Sequence, residues 1–239
     1  MGVQALLLGE GFSFHRAELY NMRSRILPAV GISAIALVAA AAFAPGASAS
    51  NAPSGAHFGK AGAAHYQTAK SCYSQGASLT GEAVASQDFE AAFDAYDNTA
   101  ADDFAIKKAC KIKKVIVTGQ YSASGPAKAA QVTLYKDAGG KPGATIASKK
   151  AKVTADSAGT LGLKIKKGLK APKGHSWISV QVIMDFGTSG QWYWAVATDG
   201  AGPTAQWQNP GGGFGVCPSW DAITTCNATV GTQLSFTLN

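Results

Sequence analysis

SWISVQVIM, residues 176–184, places Trp177, Ser179, Gln181 and Ile183 on one side of an extended chain and Ile178, Val180, Val182 and Met184 on the other. Period-two alternation of this kind predicts a β-strand with one face turned to a core. The same pattern recurs in both directions along the chain. GTLGLKIKK (159–167) alternates through Leu161, Leu163 and Ile165, and AQVTLYKD (130–137) sets Val132 and Leu134 against Thr133 and Tyr135. KIKKVIVTGQYS (111–122) has an apolar centre, and QWYWAVAT (191–198) and TQLSFTLN (232–239) complete the set. Gly, Pro and Asp turn signals separate these segments, and no stretch holds a 3.6-residue period. The expectation is an all-β protein, an antiparallel β-sandwich of jelly-roll-like or immunoglobulin-like form. EAVASQDFEAAFDAY (82–96) is expected to form one short helix.

The amino-terminal residues have a different origin. From Met22 to Ala49 the chain carries Arg23 and Arg25, then an apolar run over 26–43, then Ala47-Ser48-Ala49 ahead of Ser50. This is the layout of a secretory signal peptide. Residues 1–21 fit no targeting signal and are expected to be a non-native upstream start. A run of about 18 apolar residues could also just span a bilayer, but the small-residue cleavage site favours export. Residues 50–85, rich in Ala, Gly and Ser, are expected to be a flexible linker or amino-terminal extension, with the β-sandwich domain over 86–239. Cys72, Cys110, Cys217 and Cys226 all follow the leader. An even count in an exported chain favours disulfides over metal ligation. Three pairings are open, and the one with the shorter loops, Cys72–Cys110 with Cys217–Cys226, is favoured. No membrane contact is expected once the leader is removed.

Charge is partitioned along the chain. Residues 50–106 hold two Lys and seven acidic residues, residues 107–173 hold sixteen Lys and two Asp, and residues 174–239 hold no Lys and three Asp. No Arg follows the leader. Lysine attracts polyanions as a point charge without the planar fork that reads phosphate or guanine, which weighs against nucleic acid as a partner. Lys164 and Lys166 alternate with Leu163 and Ile165, so the basic residues are expected on the outer faces of strands.

Several motifs in order carry a resemblance. AADDFAI (100–106), VTGQY (117–121), VTLYKDAGGKPGATIAS (132–148), WISVQV (177–182), GQWYW (190–194), AQWQNPGGGFG (205–215) and LSFTL (234–238) together resemble a β-sandwich accessory domain of bacterial secreted proteins. Such domains often stand carboxy-terminal to subtilisin-like peptidases and other surface proteins. The resemblance covers residues 86–239. It implies a sandwich and implies no activity.

Chemistry-bearing clusters are few. NPGGGFG (209–215) lacks dinucleotide and P-loop spacing and suits a turn. Trp192, Trp194, Trp207 and Trp220 are candidate platforms for carbohydrate, since flat rings stack on sugar C–H faces. Asp94, Asp97, Asp102 and Asp103 offer oxygen ligands at short spacing and are candidate ligands of a structural calcium ion, although the spacing is not that of an EF-hand. No other cofactor is indicated. No Gly-x-Ser-x-Gly, His-Glu-x-x-His or Cys-x-x-Cys occurs, and His175 beside Ser176 is only sequence adjacency. The expectation is a secreted, extracellular, non-catalytic module, not an enzyme. Its partners would be polysaccharide or anionic cell-wall polymer, or other secreted proteins; the alternative is a purely structural or protein-interaction domain with no small ligand.

Overall fold

The computed structural model describes residues 52–58 and 71–239. The expectations for residues 1–21 and for the 22–49 leader lie outside the described residues. Among those described, strands dominate. β1 (Ala56–Phe58), β2 (Tyr73–Gln75), β3 (Leu79–Ala85) and β4 (Gln87–Asp88) come first, and a 3-10 segment, Ala91–Tyr96, leads into β5 (Thr99–Ile106). Next are β6 (Cys110–Val117), β7 (Gly119–Tyr121), β8 (Ala129–Asp137), β9 (Pro142–Ser157), β10 (Thr160–Ala171) and β11 (Gly174–Ile183). The single helical turn α1 (Phe186–Ser189) precedes β12 (Trp192–Ala197), β13 (Gln206–Gln208) and β14 (Asp221–Ala222). A second turn, α2 (Ile223–Cys226), precedes β15 (Gln233–Leu234) and β16 (Phe236–Leu238).

These strands form two sheets. The larger runs β14-β13-β5-β11-β8-β9-β10-β6-β16-β2, and the smaller runs β1-β3-β12-β15 with β7 also on β12. The pairing of β4 with β11 is parallel, and the other pairings are antiparallel. The all-β antiparallel sandwich expected from alternation is the architecture observed. Its core joins Ile112, Val115, Val132, Leu134, Leu161, Leu163, Ile178 and Val180 of the large sheet to Val84, Trp192 and Trp194 of the small one. Burying each such side chain contributes roughly 1.5–3 kcal/mol.

Two expectations are corrected. The stretch 50–85 is no mere linker: it supplies β1, β2 and β3, and Ala83, Val84 and Ala85 are fully buried. β3 pairs with β12 in the middle of the small sheet, where Val84 shares the tryptophan face and Ala83 and Ala85 fit against Tyr193 on the other. The helix over 82–96 is reduced to the 3-10 segment, because Glu82 to Ala85 join the ladder and Gln87 turns its side chain to cap other backbone.

Each core indole N–H has a partner on another element. Trp192 Nε1 donates to the Gly159 carbonyl at 2.8 Å, Trp194 Nε1 to Ser235 at 2.8 Å and Trp207 Nε1 to Ala85 at 2.8 Å. Gly159 closes the β9–β10 hairpin. Ala158 and Gly159 both have positive φ (50° and 96°), the signature of a two-residue primed turn. A β-carbon on Gly159 would stand 2.5 Å from Gln120 Cα, so this turn is pressed against β7. The cysteines pair as the shorter loops suggest: Cys72 with Cys110, Cα atoms 6.3 Å apart, and Cys217 with Cys226, 5.8 Å apart. Both separations lie in the disulfide range.

Replacing Trp194 with Phe removes the indole donor and leaves a small void, while the Ser235 carbonyl keeps the Thr118 N–H at 3.2 Å. The expected loss is about 1–3 kcal/mol of unfolding free energy, measured by urea titration. The double change Cys217→Ser, Cys226→Ser opens a loop of sequence separation 9 and should cost about 3 kcal/mol in the same assay.

Candidate functional site

Three of the four candidate sugar platforms are corrected by burial. Trp192, Trp194 and Trp207 are 0% exposed, and no ring face remains for a ligand. Both faces of β12 are covered, since Tyr193 on the reverse side packs with Ala83 and Ala85. Trp220 is half-buried, with its ring edge-on to Tyr135 at 5.8 Å, and its carbonyl accepts from Lys141 Nζ at 3.1 Å. Trp177 is also buried, but on the outer side of β11, where Nε1 donates to Asp137 at 2.9 Å.

The candidate calcium ligands do not converge, a second correction. Asp94 is exposed in the 3-10 segment, and Asp97 accepts the Phe89 N–H at 2.8 Å. Asp102 and Asp103 are neighbours in β5 and so point to opposite faces. Asp102 points inward, is fully buried, and accepts from Gln75 Nε2 and Leu234 N, both at 2.6 Å. Asp103 faces His175, whose Nε2 lies 2.7 Å from Oδ2. Among the described residues no group of three or more His, Cys, Asp or Glu side chains is placed to hold a metal. Burial pushes the Asp102 carboxyl well above the usual carboxylate range despite its N–H donors. Burial also raises Asp103, against the pull of His175. His175 and Ser176 lie on opposite faces of β11, so the imidazole does not reach that hydroxyl.

The lysines are arranged differently. All sixteen between residues 107 and 173 are exposed except the half-buried Lys149. Inward Leu161, Leu163 and Ile165 alternate with outward Gly162, Lys164 and Lys166 on β10, as the sequence pattern required. The register then sets Lys164 directly opposite Lys114 of β6 on one side and Lys152 of β9 on the other. Three ammonium-bearing side chains therefore stand abreast on strands about 4.8 Å apart. Like charges placed directly opposite one another destabilise a sheet. Among the described residues the lysine ion pair is Lys141 with Asp221, at 3.3 Å and away from this row.

One row further along, the same face sinks into a cleft of about 390 Å³ lined by Lys114, Ile116, Ala155, Asp156, Ser157 and Thr160. Gly162 forms its floor. Lys114 Cε passes 3.4 Å from where a β-carbon on Gly162 would stand, so the lysine stem lies over the glycine. Asp156 pairs with inward Leu161, so its carboxylate turns to the core side of the hairpin tip, where it accepts from Tyr121 Oη at 2.7 Å and from Gly159 N at 3.0 Å. Sequence reading found the outward lysines but not the row or the cleft, since both arise from cross-strand register. Among the described residues no helix is long and apolar enough to cross a membrane.

No family model, no curated protein and no solved structure matches this chain.

The buried carboxylates give stability a definite pH dependence. Because the folded-state pKa of Asp102 is raised, the folded chain retains a proton that the unfolded chain releases. Its contribution is complete below the ordinary aspartate value of about 3.9 and is lost as pH rises through the raised value. The melting temperature should therefore decline over that interval, and Asp102→Asn should flatten the decline when the two profiles are compared by thermal melts across pH.

Proposed function

We propose that the protein is a secreted, non-catalytic binding module whose lysine-bearing sheet face takes anionic polymer of the cell surface, a polysaccharide or cell-wall polymer. The observation that carries this reading is the row Lys114–Lys164–Lys152, three cations in register, none of which is ion-paired among the described residues. Such a row opposes folding, and a polyanion laid across the strands would relieve it. The burial of Trp192, Trp194 and Trp207 removes the aromatic route to carbohydrate at those positions and leaves charge as the means of attraction. Export is supported by the leader pattern over 22–49 and by two cysteine pairs at disulfide separation. The absence of Arg beyond residue 25 fits attraction by charge density more than readout of base edges. The resemblance to accessory domains of secreted proteins agrees with a module that positions an activity rather than performs one.

The triple variant Lys114→Ala, Lys152→Ala, Lys164→Ala tests the reading. Binding to an anionic cell-wall polymer should weaken, and the slope of log affinity against log salt should flatten by about 2–3, at roughly 0.7–0.9 per cation removed. The melting temperature should hold or rise, because a repulsive row has been removed. Unchanged binding and slope would overturn the assignment to this face, and binding of wild type to nucleic acid in preference to the polymer would overturn the ligand class. Intact-mass measurement of the exported product should show a chain beginning at Ser50.

A further inference from the structure

We infer that the binding surface continues from the lysine row along β8 and β9 to the ring pair Tyr135–Trp220, and that the polymer it takes is an anionic polysaccharide with a sugar ring stacked at that pair. This inference rests on the reading of the lysine face as the binding surface. The register places both ends of the track. Lys152 of β9 stands opposite Ala129 of β8, Lys150 opposite Gln131 and Ser148 opposite Thr133, with Tyr135 next in the same alternation. Tyr135 in turn stands opposite Trp177 on the outer side of β11. The lysine row and Tyr135 therefore share one face of one sheet. Ala129 and Tyr135 are separated along β8 by about 20 Å, at 3.3–3.4 Å per residue. Between these ends the side chains change in kind. Lys150 and Lys152 are exposed, and beyond them the face carries amide and hydroxyl groups. Gln131 Nε2 donates to Ser148 Oγ at 2.6 Å, and the Thr133 and Ser148 hydroxyls are 2.6 Å apart. Those bonds orient Gln131 and leave its Oε1 to accept from a ligand hydroxyl. No carboxylate stands at these positions of β8 and β9.

Trp220 supplies a second, independent observation. It is the one tryptophan of five that is not fully buried. Its ring stands at 75° to that of Tyr135, centroids 5.8 Å apart, and both residues are half-buried. Rings that are neither enclosed nor coplanar present π surface at a corner, and the electron-rich face of an aromatic ring attracts the C–H side of a pyranose. The corner is held in place before any ligand arrives. The Trp220 carbonyl accepts from Lys141 Nζ at 3.1 Å, the Cys217–Cys226 bridge closes the segment that bears it, and Tyr135 Oη lies 3.1 Å from Ser179 Oγ. A platform fixed in advance loses little freedom when a ring stacks on it. The track thus joins cations at one end, hydrogen-bonding side chains in the middle and flat rings at the other end. A chain of charged sugars can use all three, whereas a polyanion without sugar can use only the first.

The test compares two probes of similar charge number, an oligogalacturonate and inorganic polyphosphate, binding to the full chain by titration calorimetry, with acrylamide quenching of tryptophan emission read in parallel. Because the other four indoles are enclosed, the quenchable fraction reports Trp220. Oligogalacturonate should shield that fraction and polyphosphate should leave it open. Trp220→Ala should weaken oligogalacturonate binding by about three- to tenfold and leave polyphosphate within about twofold. Gln131→Ala, in the middle of the track and away from the disulfide loop, should weaken oligogalacturonate by about two- to tenfold, the loss of a hydrogen bond. If both variants bind oligogalacturonate like wild type and the quenching is unchanged by it, while the triple lysine variant loses both probes, the track is wrong and the lysine face stands. Binding of polyphosphate but not oligogalacturonate by wild type overturns the sugar class and likewise leaves the lysine face standing. If wild type binds neither probe, the lysine reading and the track fall together.

Discussion

A buried indole has one polar atom, and that atom must find an acceptor. Three tryptophans meet this requirement here at the places where strand ladders end or break. Trp192 donates to the hairpin turn at Gly159, Trp194 to Ser235 between β15 and β16, and Trp207 to the end of β3 at Ala85. Leaving any of these donors unpaired would cost about 1–3 kcal/mol on top of the packing lost. The three bonds therefore fix a hairpin tip, the link between β15 and β16 and the end of β3 to one aromatic cluster. Trp192 and Trp194, ring centroids 6.3 Å apart, and Phe236, 6.1 Å from Trp194, fill the space between the sheets.

This constraint reaches the outer surface through β10. Leu161, Leu163 and Ile165 anchor it from below, and the turn before it is held by Trp192. Its outward residues are consequently presented on a backbone that has little freedom to adjust. That is why a repulsive lysine row can persist there: the apolar burial of the inward residues outweighs a surface repulsion of a few tenths of a kcal/mol per pair.

Much of the architecture was legible because alternation is a local signal. Ile178, Val180 and Val182 announced their face, and the outward lysines followed from Leu163 and Ile165. The cysteine partners were also legible, from loop length. What was not legible depends on two-sided burial and register. Trp192, Tyr193 and Trp194 alternate correctly, yet nothing in QWYWAVAT tells that both faces of that strand are covered. LTGEAVA at 79–85 looks too small and too plain for a central strand, but Ala83 and Ala85 leave the room that Tyr193 fills on one face while Val84 meets the tryptophans on the other. Asp94, Asp97, Asp102 and Asp103 offered oxygen ligands at short spacing, whereas extended backbone sends Asp102 and Asp103 to opposite sides. The cleft joins residues of β6, β9 and β10, so no window of sequence contains it.

The partition of charge has a consequence for orientation. The sixteen lysines between residues 107 and 173 sit chiefly on β6, β8, β9 and β10, while the stretches on either side carry ten acidic residues and two Lys, both outside the described residues. Positive charge is therefore concentrated on four neighbouring strands of the large sheet. Near any negatively charged surface such a distribution of charge would experience a torque before contact, turning those strands toward it.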